Sequence, residues 1–93
     1  MLLTLLSNQG GGALFTITGV TRDSTGNVVV SCVVHLFATA TDVEAGQTTS
    51  DAGTGVYAFT LGSGVGTYYV VAYKAGSPDI AGTTVNTLTP VAL

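Results

Sequence analysis

The sequence predicts an all-β fold, either a β-sandwich or a β-barrel. Three residue types (16 Thr, 13 Val and 13 Gly) fill 42 of the 93 positions. Thr and Val are β-branched and favour strands, whereas Gly interrupts regular structure and favours turns. Apolar segments recur at intervals of about 8 to 12 residues between turn residues, and none has a 3.6-residue period long enough for a helix.

The strands are predicted in order from residue 14. They cover about residues 14–22, 28–37, 47–50, 56–61 and 67–74, and the last strands lie within residues 80–91. Strand 28–37 is a long β-branched run, and strands 56–61 and 67–74 combine Tyr, Phe and Val, which are strong strand formers. Pro78 interrupts the chain after the fifth strand because proline cannot donate a backbone hydrogen bond to a sheet.

The segments between these strands have the residues of turns. Residues 23–27 and 51–55 each begin with Asp, whose side chain accepts local backbone hydrogen bonds. Each also contains Gly, which tolerates positive φ. Residues 39–46 are predicted to form a polar loop. The glycines of residues 62–66 predict a hairpin turn rather than a phosphate-binding loop, because no lysine and no helix follow them.

Length and charge limit the class of protein. A chain of 93 residues forms one domain. Only 8% of its residues are charged and the net charge is −3, whereas about 25% are charged in an average soluble domain. With two cations we expect neither nucleic acid nor an anionic membrane as a partner. The single Cys32 excludes an internal disulfide.

The first 13 residues are predicted to form an arm that is separate from the domain of residues 14–93. Residues 1–6 are apolar, and the glycines of residues 10–12 form a hinge. The apolar run lacks the preceding cations of a secretory signal and is too short for a membrane span, so we expect neither. We expect it to add a strand to this domain or to reach into a neighbouring subunit. Its candidate contact residues are Leu2, Leu3, Leu5 and Leu6.

Alternation along the strands predicts which side chains share a face. One face carries Cys32, Val34 and Leu36 on strand 28–37, Tyr57, Phe59 and Leu61 on strand 56–61, and Tyr68, Val70 and Ala72 on strand 67–74. The opposite faces of strands 28–37 and 67–74 are apolar as well, although one sandwich core uses only one face of each sheet. We expect this second face to contact another protein subunit; cover by a loop or by the arm is the alternative. Its candidate interface residues are Val33, Phe37, Tyr69, Val71 and Tyr73.

No constellation of residues predicts catalysis, a cofactor or a metal. His35 is the only histidine, and we expect it to pack or to lie in an interface. Cys32 is expected to be a small buried apolar residue. Asp42 and Glu44 could share a cation weakly, but solvated loop carboxylates are the simpler interpretation. The exposed tyrosines Tyr69 and Tyr73 suit either protein contact or stacking on a sugar.

Several segments together resemble a known domain family. These are residues 17–27 (ITGVTRDSTGN), 34–37 (VHLF), 48–59 (TTSDAG, then GVYAF) and 66–76 (GTYYVVA, then KAG). They are similar to the carboxypeptidase-regulatory-like, or transthyretin-like, domain over about residues 15–77. The resemblance implies a seven-stranded Greek-key β-sandwich with no activity of its own, since the family is a scaffold.

Residues 69–84 also look like the stand-alone members of this family among tailed-bacteriophage virion proteins. The resemblance therefore implies a non-enzymatic structural protein, either a capsid decoration protein or an accessory head, neck or tail component. Its partners would be further copies of itself and other virion proteins, such as a major capsid or tail protein. Its location would be the virion, assembled in the host cytoplasm. The alternative is a receptor- or carbohydrate-binding module that uses the loops at residues 39–46 and 62–66.

Overall fold

The computed structural model describes residues 14–76 and 80–93, and this part of the chain is all-β. The N-terminal arm with its four leucines lies outside the described residues. The described strands are β1 (Phe15–Val20), β2 (Val33–Ala38), β3 (Glu44–Thr49), β4 (Val56–Leu61), β5 (Tyr68–Lys74), β6 (Ile80–Thr83) and β7 (Val91–Ala92). No helix in these residues has the length and apolarity that crossing a bilayer requires.

The strands form two antiparallel sheets. One has the order β4-β1-β7 and the other has the order β3-β2-β5-β6. The strands β2, β3 and β4 follow one another around the molecule, and β5 returns to pair with β2. This is a Greek-key arrangement. The predicted fold class, a seven-stranded Greek-key β-sandwich, is therefore confirmed.

The core lies between the two sheets and contains the predicted faces of the strands. Val34 and Leu36 of β2 are 0% exposed. Around them pack Ile17, Cys32, Tyr57, Phe59 and Val70, with Leu61, Tyr68 and Ala72 partly buried at the margin. In β2, β4 and β5, the buried side chains all come from one of the two faces that alternation distinguishes.

Two strands begin at different residues from those predicted. β2 begins at Val33 rather than near residue 28, because Ser31 has a φ of 58° and interrupts the extended backbone. β3 begins at Glu44 rather than at residue 47, because Leu36 and Phe37 pair with Gly46 and Glu44 across a β-bulge. The polar loop is correspondingly shorter than predicted. Pairing with β2 overrides the low strand propensity of the Glu-Ala-Gly sequence.

The predicted hairpin at residues 62–66 is wrong. β4 belongs to the three-stranded sheet and β5 to the four-stranded sheet, so this segment crosses between the two sheets. Gly64 lies against the ring of Phe15, and Gly66 has a φ of 102°. In this crossover, Gly64 allows the close approach of the Phe15 ring and Gly66 adopts a left-handed backbone conformation. A hairpin turn uses glycine for the same reasons, so the sequence does not distinguish the two.

The two aspartate turns are present and share one mechanism. The Asp51 carboxylate accepts hydrogen bonds from the backbone N–H groups of Gly53 and Thr54, at 2.8 and 2.9 Å, and these lower its pKa. The Asp23 carboxylate accepts hydrogen bonds from the Thr25 hydroxyl and from the Asn27 N–H, which lower its pKa in the same way. Each carboxylate thus holds its turn most firmly when ionised.

A cluster of buried polar side chains connects segments of the two sheets at one end of the sandwich. The Thr21 hydroxyl donates to the Ser50 hydroxyl at 2.9 Å and contacts the backbone oxygen of Val29. The Ser50 oxygen accepts the N–H of Cys32 at 2.9 Å. Ser50 is 2% exposed, so these hydrogen bonds are made away from water. The cluster connects the residue after β1 with the segment before β2 and the end of β3.

Candidate protein-interaction surface

The register of the four-stranded sheet brings all five predicted interface residues of the domain onto one face. Val33 lies opposite Tyr73, His35 opposite Val71, and Phe37 opposite Tyr69. These six residues point away from the core, and we call them the aromatic face. Among residues 14–76 and 80–93, no strand packs across it. Within these described ranges, the face is therefore an apolar surface that no other strand covers, with Tyr73 exposed and the other five side chains partly buried.

The side chains of the aromatic face are ordered against one another. The rings of Phe37 and Tyr69 stack with centroids 5.2 Å apart and an angle of 14° between their planes. His35 lies against Phe37 at 6.3 Å. Tyr73, at the other end of β5, is 41% exposed. Stacked rings on a rigid sheet lose little conformational entropy when a partner binds, which favours tight contact.

Two carboxylates border the aromatic face on the side of β3. Glu44 pairs with the His35 ring, with 2.5 Å between Oε2 and Nδ1. The Tyr69 hydroxyl donates a hydrogen bond to Asp42 Oδ1 at 2.9 Å. This hydrogen bond, followed by burial and the Asp42 charge, raises the pKa of Tyr69. Both carboxylates therefore orient ring side chains of the face.

Asp42 and Glu44 are both exposed, in keeping with their interpretation as solvated carboxylates, although Glu44 is the first residue of β3 and each carboxylate has a side-chain partner on the sheet. Each is also bound to a different ring, so they do not converge on one point. Within the described ranges, no three His, Cys, Asp or Glu side chains group as metal ligands. Sequence could not reveal these pairs, because they depend on the β-bulge between Leu36 and Phe37 that shifts Glu44 toward His35.

The two buried residues with nucleophilic side chains that flank β2 and β3, Cys32 and Ser50, lie away from the outward-pointing histidine. Cys32 is buried, and its Sγ lies 3.6 Å from the backbone oxygen of Val29. Ser50 is buried within the polar cluster near Thr21. His35 points outward from β2. The histidine is therefore not placed to act as a base for either residue, since that requires hydrogen-bond contact.

The outer face of the three-stranded sheet differs from the aromatic face in the type of its side chains. Its side chains are small or β-branched and include no aromatic ring: Thr16, Thr18, Val20, Val56, Ala58 and Thr60. Aromatic residues are enriched in the buried centres of protein interfaces, whereas small polar residues are not. The aromatic face is therefore the stronger candidate for a contact surface.

Comparison with known proteins identifies no relative. No family model, no curated protein and no solved structure matches the chain.

Proposed function

We propose that this protein is a non-enzymatic structural module that assembles in multiple copies through its aromatic face. The observation that carries this proposal is the aromatic face, which no described strand covers and in which Phe37, Tyr69 and Val71 lie side by side at the centre of a four-stranded sheet. Large apolar patches on soluble domains are contact sites or aggregation hazards. A net charge of −3 spread over 93 residues gives little electrostatic repulsion between copies.

The particle that we propose for it is the virion of a tailed bacteriophage. The support is the resemblance of its sequence segments to the stand-alone phage members of the transthyretin-like family, together with a rigid small sandwich that offers a contact surface. In this role the protein decorates the capsid or forms part of the head, neck or tail. Weak contacts repeated on a symmetric lattice then add through high effective concentration.

The experiment compares two matched charge substitutions by light scattering over a range of protein concentrations. Val71→Glu places a carboxylate at the centre of the aromatic face, and Val56→Glu places one on the outer face of the other sheet. We expect a defined oligomer for the wild type and for Val56→Glu, and a particle of smaller mass than the wild-type oligomer for Val71→Glu. Circular dichroism spectra that match the wild type would show that both variants remain folded.

A different result contradicts the proposal. If all three proteins are monomeric at every concentration, the aromatic face is not a contact surface between copies, and the loop-binding module becomes the better explanation. Binding of the isolated domain to immobilised glycans would then be measured directly. The virion location is tested separately, by detecting a tagged copy of the chain in purified phage particles from cells that express it.

A further inference from the structure

The three-stranded sheet is incomplete beside β1. The strand β7 pairs only with Phe15 and Thr16. The chain that leads to β7 lies beside the other sheet, where Leu88 exchanges backbone hydrogen bonds with Tyr68. Within the described residues, no strand pairs with residues 17–20 on this side of β1. Backbone groups along this edge are therefore available to a further strand.

An open cleft lies next to this edge. Its volume is about 500 Å³, its floor includes the core residues Cys32, Tyr57 and Val70, and it extends to β6. Gly82 of β6 pairs with Ala72, so it belongs to the core-facing side of the sheet. Yet Gly82 is exposed, and a Cβ atom built on it would meet no atom within 4 Å. Within residues 14–76 and 80–93, the inner face of β6 at Gly82 thus lacks the cover that Val70 has on β5.

We propose that this cleft accepts residues 1–6 from the arm of a second copy as an added strand beside β1. The six residues Met-Leu-Leu-Thr-Leu-Leu carry no charged side chain. In extended form they span about 20 Å, more than the roughly 13 Å of the unpaired part of β1. Main-chain hydrogen bonds to β1 would fix the segment, and alternate leucines would fill the cleft above Gly82.

The position of the arm favours a second copy over the same chain. Leu14, where the arm joins the domain, accepts a hydrogen bond from the N–H of Leu93, at the end of β1 that β7 covers. The arm of the same chain would have to pass β7 to reach the cleft. The opposite end of the cleft is lined by Arg22 and Lys74. An arm that enters from this end runs parallel to β1.

The inference deepens the proposed assembly and rests on it in one respect, namely that copies of the chain associate. Its test is a pair of matched substitutions in the full chain. Gly82→Phe fills the cleft with a side chain, and Gly62→Phe adds the same side chain at another glycine with open space around it. We expect light scattering to show the wild-type oligomer for Gly62→Phe and a smaller mass for Gly82→Phe, in which only the contact through the aromatic face remains.

A synthetic peptide of residues 1–9 gives a second readout on the unmodified protein. In tenfold excess it should compete with the arm, lower the mass of the wild-type oligomer and leave Gly82→Phe unchanged. An oligomer that persists in Gly82→Phe and resists the peptide would overturn the cleft as the arm's site. If that oligomer is still lost in Val71→Glu, the proposed assembly through the aromatic face stands without it. A wild-type monomer overturns the exchange between copies.

Discussion

Gly19 in β1 lies beneath the ring of Tyr57, its partner across the sheet. A Cβ atom at this position would overlap the Tyr57 hydroxyl and Cζ. The absent side chain lets a large aromatic residue fold flat over the strand and fill the core with 7% of its surface exposed. The glycine is therefore required by close approach rather than by a turn.

Gly19→Ala should lower the free energy of unfolding by about 1–3 kcal/mol, because overpacking forces the Tyr57 ring from its position. Gly62→Ala is the control, since open space surrounds that glycine. Chemical denaturation of the two variants and the wild type measures the effect. Equal stability of both variants would show that the Tyr57 ring shifts without cost.

Asp42 has a φ of 55° and accepts the hydrogen bond of Tyr69. Glycine adopts this backbone conformation without strain but offers no side-chain acceptor. Asp42→Gly should therefore lower the pKa of Tyr69 toward the ordinary value while preserving the loop. Absorbance titration of tyrosinate checks this, with Tyr69→Phe identifying the component that belongs to Tyr69. A pKa unaltered by Asp42→Gly would rule out Asp42 as the cause of its elevation.

At the scale of elements, the cluster of Thr21 and Ser50 ties the end of β1 to the segments before β2 and after β3. The Ser50 oxygen is the shared point, since it accepts hydrogen bonds both from the Thr21 hydroxyl and from the Cys32 N–H. The connected segments belong to both sheets, and no apolar contact could satisfy these buried polar groups.

Ser50→Ala should destabilise the protein by about 1–3 kcal/mol, because it leaves the buried N–H of Cys32 without that acceptor. Ser63→Ala is the matched control: its hydroxyl is exposed and accepts only a 3.2 Å hydrogen bond from Val65. Thermal or urea denaturation distinguishes the two. If Ser50→Ala and Ser63→Ala lower the stability by the same amount, water replaces the Ser50 oxygen inside the sandwich.

At the scale of the whole molecule, stability should depend on pH at both extremes. The pKa values of Asp23 and Asp51 are lowered in the folded state from 3.8, so the stability that these carboxylates contribute is lost as pH falls below about 4. The pKa of Tyr57 is raised from 10.0 by burial, so stability is lost as pH rises above about 10.

Melting temperatures measured from pH 2 to pH 11 should therefore show a plateau between about pH 4 and pH 10. Asp51→Asn should flatten the acid limb, because the amide oxygen still accepts hydrogen bonds but does not titrate near pH 4. Tyr57→Phe should flatten the alkaline limb in the same way. If the melting temperature of Asp51→Asn falls as steeply at low pH as that of the wild type, other carboxylates cause the acid sensitivity.

Much of the fold follows from local pattern. The position of β4, the side chains that share a face of β2 and β5, and both aspartate turns depend on alternation or on contacts within five residues, which the sequence states directly. The five domain residues of the aromatic face also follow from alternation. The start of β3 does not, because a bulge opposite β2 and not local propensity determines it.

The sequence by itself determined the fold class and which side chains share a face of each strand, because side-chain alternation and β-branched composition act locally. Tertiary structure alone decided which strands share a sheet, so it placed residues 62–66 in a crossover and paired Glu44 with His35. Tertiary structure also determined that there is a cleft above Gly82, because the length of β7 depends on where the chain crosses between the sheets. Such contacts join residues far apart in the chain, and their energies exceed any local preference.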